Sequence, residues 1–350
     1  MKKFFAILLC VLMVVAIVAC DKPEEKQEAE YKLGMGIVVS TASSKTGNAQ
    51  VDATVATVVT DAEGKIVACR IDVAQSKMDV TDGAVDTAKA FETKMELGDR
   101  YGMAGKVDND GNGVKLEWYE QTKAFEAYVV GKTAAQVEAI ETQFVNNHYI
   151  AVDQALLDAG CSMQITDFMA AVVKACKDEQ GMSFKTAETF TLGVAAKTTA
   201  AESTAATAEA DGTVKMYSDF AASVVVDGKI IASLNDAIQP NIAINAAGEC
   251  TPAEFKGTKR ELKEDYNMAK YGSQMDWNGD GKVLEWYVQS NEFSKFVVGK
   301  TAAEVEAMAT KVVEGAGYVI SADDALLSAG CTIQITAIKA VVAQSVKNAR

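Results

Sequence analysis

The strongest constraint on this chain is that it repeats itself. LDAGCSMQIT at 157–166 is answered by LSAGCTIQIT at 327–336, and ELGDRYGM at 96–103 by ELKEDYNM at 261–268. LEWYEQ at 116–121 returns as LEWYVQ at 284–289, and VVGKTAAQVEAI at 129–140 as VVGKTAAEVEAM at 297–308. Two copies of roughly 150 residues each suit a pair of domains better than a solenoid of short repeats. The expected organisation is a leader at 1–20, a charged tether at 21–30, one domain at 31–178 and a second at 186–350.

The leader has Lys2 and Lys3 ahead of an apolar run from Phe4 to Ala19. That run is shorter than the roughly 20 residues a spanning helix needs, so it reads as a secretion signal. It ends Ile17-Val18-Ala19-Cys20, which resembles a bacterial lipobox in which the Cys is acylated. A lipid on Cys20 would hold the protein to the outer face of the cell membrane without spanning it. DKPEEKQEAE at 21–30 has no apolar face and is expected to stay solvated. The chain carries 48 acidic against 34 basic residues, a net charge of −14. This balance argues against nucleic acid, whose phosphates are met by Lys and Arg, and against general adhesion to anionic headgroups. Beyond Cys20, only Cys161 and Cys331 match between the copies, so Cys69, Cys161, Cys176, Cys250 and Cys331 read as small apolar residues.

Within each copy, alternating apolar residues flank a turn: QVDATVATVVT, DAEG and KIVACRIDVA in the first, VKMYSDFAASVVV, Asp227-Gly228 and KIIASL in the second. Both read as β-hairpins. Helices are expected over Glu117 to Val130 and Glu285 to Val298, stopped by Gly131 and Gly299. Thr133 with Gln136, and Thr301 with Glu304, form capping boxes that start another helix. Closing helices are expected over 167–177 and 337–348. The order gives an α+β class. The Ala/Thr-rich run at 195–212 reads as a mobile loop or edge of the second domain.

Ala159-Gly160-Cys161-Ser162 and Ala329-Gly330-Cys331-Thr332 read structurally as a Gly turn with a hydroxyl ahead of the closing helix. The segment also resembles the [Ser/Thr]-Gly-Ala-[Ser/Thr] motif of bacterial FMN-binding domains, among them one carried by the sodium-translocating NADH:quinone reductase. In that family the last hydroxyl is esterified to the FMN phosphate. The motif's first residue is Ala in both copies here, and Leu156 and Leu326 stand where the family has an acidic residue. The wider pattern is similar to flavin-carrying surface lipoproteins of bacterial extracellular electron transfer, of the PplA type. LGMG…STASS, QVDATVATVVTDAEGKIV, IDVAQSK, ELGDRYGM, EWYEQ and VVGKT carry that resemblance.

The resemblance implies two FMN-binding-like domains with FMN joined to Thr332 and Ser162 by a flavin transferase, beside Gly160, Cys161, Gly330 and Cys331. A membrane quinol- or NADH-linked donor would supply electrons, and acceptors outside the cell would take them. Such a protein is a carrier and not a turnover enzyme. The alternatives are a non-redox surface binding or structural lipoprotein that keeps the fold, and an extracellular flavin reductase.

A second oxygen-rich motif recurs: Asp108, Asp110 and Asn112 in one copy, Asp276, Asn278 and Asp280 in the other. Alternate Asp/Asn residues with Gly at the sixth place resemble the front of a calcium loop, but the twelfth place falls on Tyr119 and Tyr287. A polar turn ahead of a helix is the plainer expectation. Trp118, Tyr119, Trp286 and Tyr287 could face a flavin ring, though aromatics at helical spacing usually fill a core. His148, the one histidine, reads as a loop residue near the place of Gly317. A Ser/His/Asp set is not possible twice over, and no Walker or dinucleotide-fold sequence appears.

Overall fold

A computed structural model describes residues 27–270 and 276–350. The leader, Cys20 and most of the tether lie outside the described residues. The first copy runs β1 (Ala29–Ser40), β2 (Asn48–Asp61), β3 (Ile66–Asp79), α1 (Lys94–Leu97), α2 (Trp118–Val129), α3 (Ala134–Glu138), β4 (Thr142–Val145), β5 (His148–Ala151), α4 (Gln154–Asp158), α5 (Thr166–Cys176) and β6 (Met182–Thr186). The second runs β7 (Thr191–Thr199), β8 (Gly212–Val214), β9 (Tyr217–Val226), β10 (Lys229–Ile238), β11 (Ile242–Ile244), β12 (Cys250–Pro252), α6 (Lys259–Leu262), α7 (Trp286–Phe296), α8 (Ala302–Glu306), β13 (Thr310–Val312), β14 (Val319–Ser321), α9 (Asp324–Ser328) and α10 (Thr336–Lys347). The class is mixed α+β with antiparallel sheets. Among the described residues, no helix is long and apolar enough to cross a membrane.

The two main sheets have strand orders β3-β2-β1-β6 and β10-β9-β7. Their expected hairpins are present. The Asp227-Gly228 turn has φ of 48° and 75°, the pair of positive values that a two-residue hairpin needs. Both capping boxes form, at Thr133 with Gln136 and Thr301 with Glu304. The VVGKT repeat also has a reason: Gly131, with φ 83°, donates to the Ile66 carbonyl at 2.7 Å, and Gly299, with φ 85°, donates to Ile230 at 2.7 Å. Each glycine therefore ends a helix and pins it to the strand that begins β3 or β10.

Three expectations need correction. Residues 195–199 of the Ala/Thr-rich run belong to β7, where Ala195 and Ala196 are buried opposite Ala221 and Phe220. Small residues there allow close sheet packing, and the strand signal of TLGVAA runs on through residues 197–199 before the loop begins. Ala29 and Glu30 are not tether but pair in β1 with Thr186 and Lys185. His148 opens β5 and is not in a loop.

The main sheets pack face to face. Leu33, Met35, Ile37, Val51, Ala53 and Val55 from the first share one core with Leu192, Val194, Phe220, Ala222 and Val224 from the second. The opposite face of each sheet receives its closing helix, α5 or α10, within a separate core. Both faces of β2 are thus covered, which explains its nearly unbroken buried run. A buried ion pair also spans the copies: Arg260 meets Asp178 at 3.2 Å and donates to the Gln180 carbonyl at 2.8 Å. Breaking one partner of such a pair strands a buried charge.

Glycine sets the distance between each sheet and its helix. A Cβ at Gly34 would overlap the Ala175 carbonyl, at Gly36 that of Ala171, and at Gly193 that of Ser345. These obstacles are backbone and cannot rotate away. Gly36→Val should therefore destabilise the fold by about 3 kcal/mol, the upper part of the overpacking range. Urea denaturation followed by circular dichroism measures this, and an unchanged midpoint would contradict the close approach.

Candidate functional site

The Ala-Gly-Cys segment is the end of a short helix that the sequence pattern does not announce. α4 closes at Ala159, Gly160 has φ 89°, its N–H donates to Leu157 at 2.8 Å, and the Cys161 N–H donates to Leu156 at 3.1 Å. α9 ends in the same way: Gly330 has φ 89°, with bonds of 2.9 Å to Leu327 and 3.2 Å from Cys331 to Leu326. This 5→2 and 6→1 pairing is a Schellman motif, which needs a left-handed residue at the glycine and favours an apolar residue after it. Burial pushes the Cys161 and Cys331 thiols up to about 12, so neither is a thiolate nucleophile at neutral pH.

The hydroxyl residues come next, three residues short of the following helix N-cap, so they do not cap it as the sequence suggested. Ser162 and Thr332 are only 1% and 4% exposed. Both are fixed by a buried glutamine. Gln121 Oε1 accepts the Ser162 and Met163 N–H groups at 3.0 Å each, while its Nε2 donates to Leu116 at 3.0 Å. Gln289 Oε1 accepts the Thr332 N–H at 2.7 Å and its hydroxyl at 3.2 Å, and Nε2 donates to Leu284 at 2.7 Å.

The Asp/Asn/Gly loops lie over these segments, so the structure brings together two motifs that are far apart in sequence. The Asn109 N–H reaches Ser162 Oγ at 3.4 Å, and its side-chain amide donates to the Ser162 carbonyl at 2.9 Å. Asn112 donates to Leu157 at 3.3 Å and Asn278 to Leu327 at 3.0 Å, tying each loop to the helix end. Within the loops, Asp108 accepts the Gly113 N–H at 3.2 Å and Asp276 that of Gly281 at 2.8 Å. Asp280 accepts the Lys282 N–H at 2.8 Å. Asp108 Oδ1, both Asp110 carboxylate oxygens and Asn278 Oδ1 are buried without a hydrogen-bond partner.

Those oxygens alone do not complete a calcium site. Among the described residues, no group of three or more His, Cys, Asp or Glu is placed to hold a metal. Glu117 turns away to accept the Met103 and Ala104 N–H groups at 2.9 Å each, and Glu285 those of Met268 and Ala269 at 2.8 and 3.0 Å.

The open cleft of the first copy lies beside this assembly, with a volume of about 520 Å³. Trp118, Met163 and Phe168 form its apolar floor, and Asn147, His148 and Asp167 stand exposed at its mouth. Lys94 Nζ lies 4.9 Å from the Tyr101 ring centre and 5.5 Å from that of Trp118. Asp52 accepts from Gln50 Nε2 at 2.8 Å and from Gln75 Nε2 at 2.9 Å. Partial burial and then the Asp52 charge raise the Asp167 carboxyl above its ordinary range, while Lys94 acts in the opposite direction. Asp52, Asp167 and Lys94 have no opposite charge at salt-bridge distance among the described residues. Trp118 is mainly core, at 3% exposure, so its neighbours and not its own face give the cleft its polarity.

Asp52, Gln75, Lys94 and Tyr101 sit in stretches that stand out in the sequence, yet nothing there assigns them a role. Repetition of Lys-x-Glu-Leu and of Tyr-x-Met was the available signal. Asp52 and Asp167 had none, since neither recurs. Compared with known proteins, the chain matches no family model, no curated protein and no solved structure.

Buried carboxyls place the two lysines. Asp72 accepts the Met95 N–H at 3.1 Å beside Lys94, and Asp236 accepts the Arg260 N–H at 3.1 Å beside Lys259. Burial pushes both carboxyls up to about 6 despite these bonds. Each holds its proton more tightly folded than unfolded, so from about pH 4 to 6 stability falls as pH rises. The protein should therefore show a higher urea midpoint at pH 5 than at pH 7.5. Asp72→Asn with Asp236→Asn should shrink that difference, and an equal or larger difference in the variant would contradict the assignment.

Proposed function

We infer that this chain is a lipid-anchored, extracytoplasmic binding protein of two homologous lobes, whose first lobe receives a small polar molecule in the Trp118 cleft. The observation that carries this is a set of three charged side chains, Asp52, Asp167 and Lys94, lining an open concave site with no opposite charge at salt-bridge distance among the described residues. Binding sites combine an apolar wall with a few placed polar groups, and this cleft has both. Cys20 would hold the protein at the membrane surface, where such a cleft faces the outside.

A covalent FMN carrier is the second possibility. It is supported by the recurrence of one hydroxyl residue whose backbone N–H is held by one buried glutamine in both copies. Bound FMN would supply the one- and two-electron chemistry, passing electrons from a membrane quinol- or NADH-linked donor to extracellular acceptors. The residues as they stand do not fit the group. Ser162 and Thr332 are buried, and neither lines a described cavity, so a flavin transferase would need the covering loop lifted to reach either oxygen.

Two measurements separate these functions. A thermal-shift screen of the full chain against sugars, amino acids, amines and nucleosides should find a stabilising class, and Asp52→Ala should weaken its binding at least tenfold with the fold intact. No stabilising class, or unchanged binding by Asp52→Ala, would count against a binding protein. Intact-mass analysis of protein from its own host should show the lipid but no flavin. An FMN adduct on Ser162 or Thr332 would establish the carrier instead.

A further inference from the structure

The two copies are alike in backbone but not in what lines the cleft. Asp72 pairs opposite Val55 and Asp236 opposite Phe220, which aligns β2 with β9 and β3 with β10. Tyr217 then stands in the place of Asp52, Asp219 in that of Thr54, and Gln239 in that of Gln75. The Ile165 N–H bonds to the Tyr149 carbonyl as that of Ile335 does to Val319. His148 therefore corresponds to Tyr318, the residue after Gly317. The hydroxyl motif places Ala337 where the first copy has Asp167, and the Asp/Asn/Gly loop places Trp277 where it has Asn109.

What recurs is the frame. Lys259 Nζ lies 5.0 Å from the Tyr266 ring and 5.2 Å from Trp286, matching Lys94 over Tyr101 and Trp118. The contents of the frame differ. In the second copy Trp277 packs against Tyr318 with ring centres 5.7 Å apart, so two aromatics meet where Asn109 and His148 border the open cleft. Tyr266 donates to Gln239 at 3.1 Å, using an acceptor on the side chain equivalent to Gln75. Lys259 acts on the Asp219 carboxyl as Lys94 acts on Asp167, so one lysine–carboxylate attraction is common to both copies, and the first adds Asp52.

The repeated lysine is thus part of the scaffold, held against the same two rings in both copies. The two carboxylates belong to the first copy alone and set what that copy selects. Asp52, already oriented by two glutamine amides, faces the same cleft as Asp167 at the mouth. Two anions and one ring-held cation leave the cleft net negative, and it still needs a hydrogen-bond donor with positive charge. We propose that the first-copy cleft selects a small organic ammonium compound, its N–H groups received by Asp52 and Asp167 and its apolar body lying toward Trp118 and Phe168. The second copy, without those carboxylates, does not share this ligand. The assignment rests on the cleft being a binding site and specifies its chemistry.

Isosteric pairs test it on the full chain by titration calorimetry: 1,4-diaminobutane against 1,4-butanediol, and 2-phenylethylamine against 2-phenylethanol. At least one amine should bind ten times or more tightly than its alcohol, with one site per chain. Asp167→Asn, an exposed and conservative change, should reduce that preference to threefold or less. An alcohol binding as well as its amine would overturn the ammonium assignment while leaving the cleft as a binding site. Two equivalent amine sites per chain, or a preference that survives in both Asp167→Asn and Asp52→Asn, would also overturn it. If none of the four compounds binds, the ammonium assignment falls, and the binding function is judged separately by the thermal-shift screen.

Discussion

One buried glutamine in each copy, Gln121 and Gln289, ties the site region together. Each is fully buried at the first turn of its helix and donates to the carbonyl five residues before it; Gln121 accepts two backbone N–H groups from the hydroxyl segment, and Gln289 accepts the Thr332 N–H and hydroxyl. An unpaired buried amide is costly, so the glutamine and the segment it holds must form together. The loop above the segment is then fixed by Asn109 and Asn112 in the first copy and by Asn278 in the second. The wall of the cleft follows from that arrangement. Met163 lies on its floor because Gln121 holds its backbone.

Duplication produced a frame that both copies must keep and a lining that either could change. The shared core between the two main sheets couples the copies physically, so neither sheet can move far without exposing the other's apolar face. Lining residues carry no such burden. Asp52, His148, Asn109 and Asp167 are replaced by Tyr217, Tyr318, Trp277 and Ala337 while the strands, caps and lysine–aromatic contacts persist. That separation of scaffold from contents leaves the lining free to differ between the repeats while the frame is kept.

Much of the architecture was legible in the sequence because it depends on local rules. The Asp227-Gly228 turn, the glycine stops at 131 and 299, and the capping boxes at Thr133 and Thr301 each name the conformation they adopt. α4 and α9 were hidden because a helix of five residues shows barely one turn of periodicity, and their Schellman ends resemble a cofactor motif. The start of β7, TLGVAA, was legible as the counterpart of the first copy's opening strand, and only its end, residues 197–199, was obscured by the Ala/Thr-rich run that continues from it. The cleft was harder still. Asp52, Lys94 and Asp167 lie on a strand, a short helix and the closing helix, and only the folded chain shows that they face one space.

Ser162 and Thr332 must therefore be internal parts of a pinned segment. Amide hydrogen exchange of the native protein at Ser162, Met163 and Thr332, whose N–H groups bond to Gln121 and Gln289, tests this most directly. The expected result is protection equal to that of the central strands, with exchange only through global unfolding. Fast exchange at these amides while the strands stay protected would mean that the segment opens on its own and its hydroxyls are available for modification.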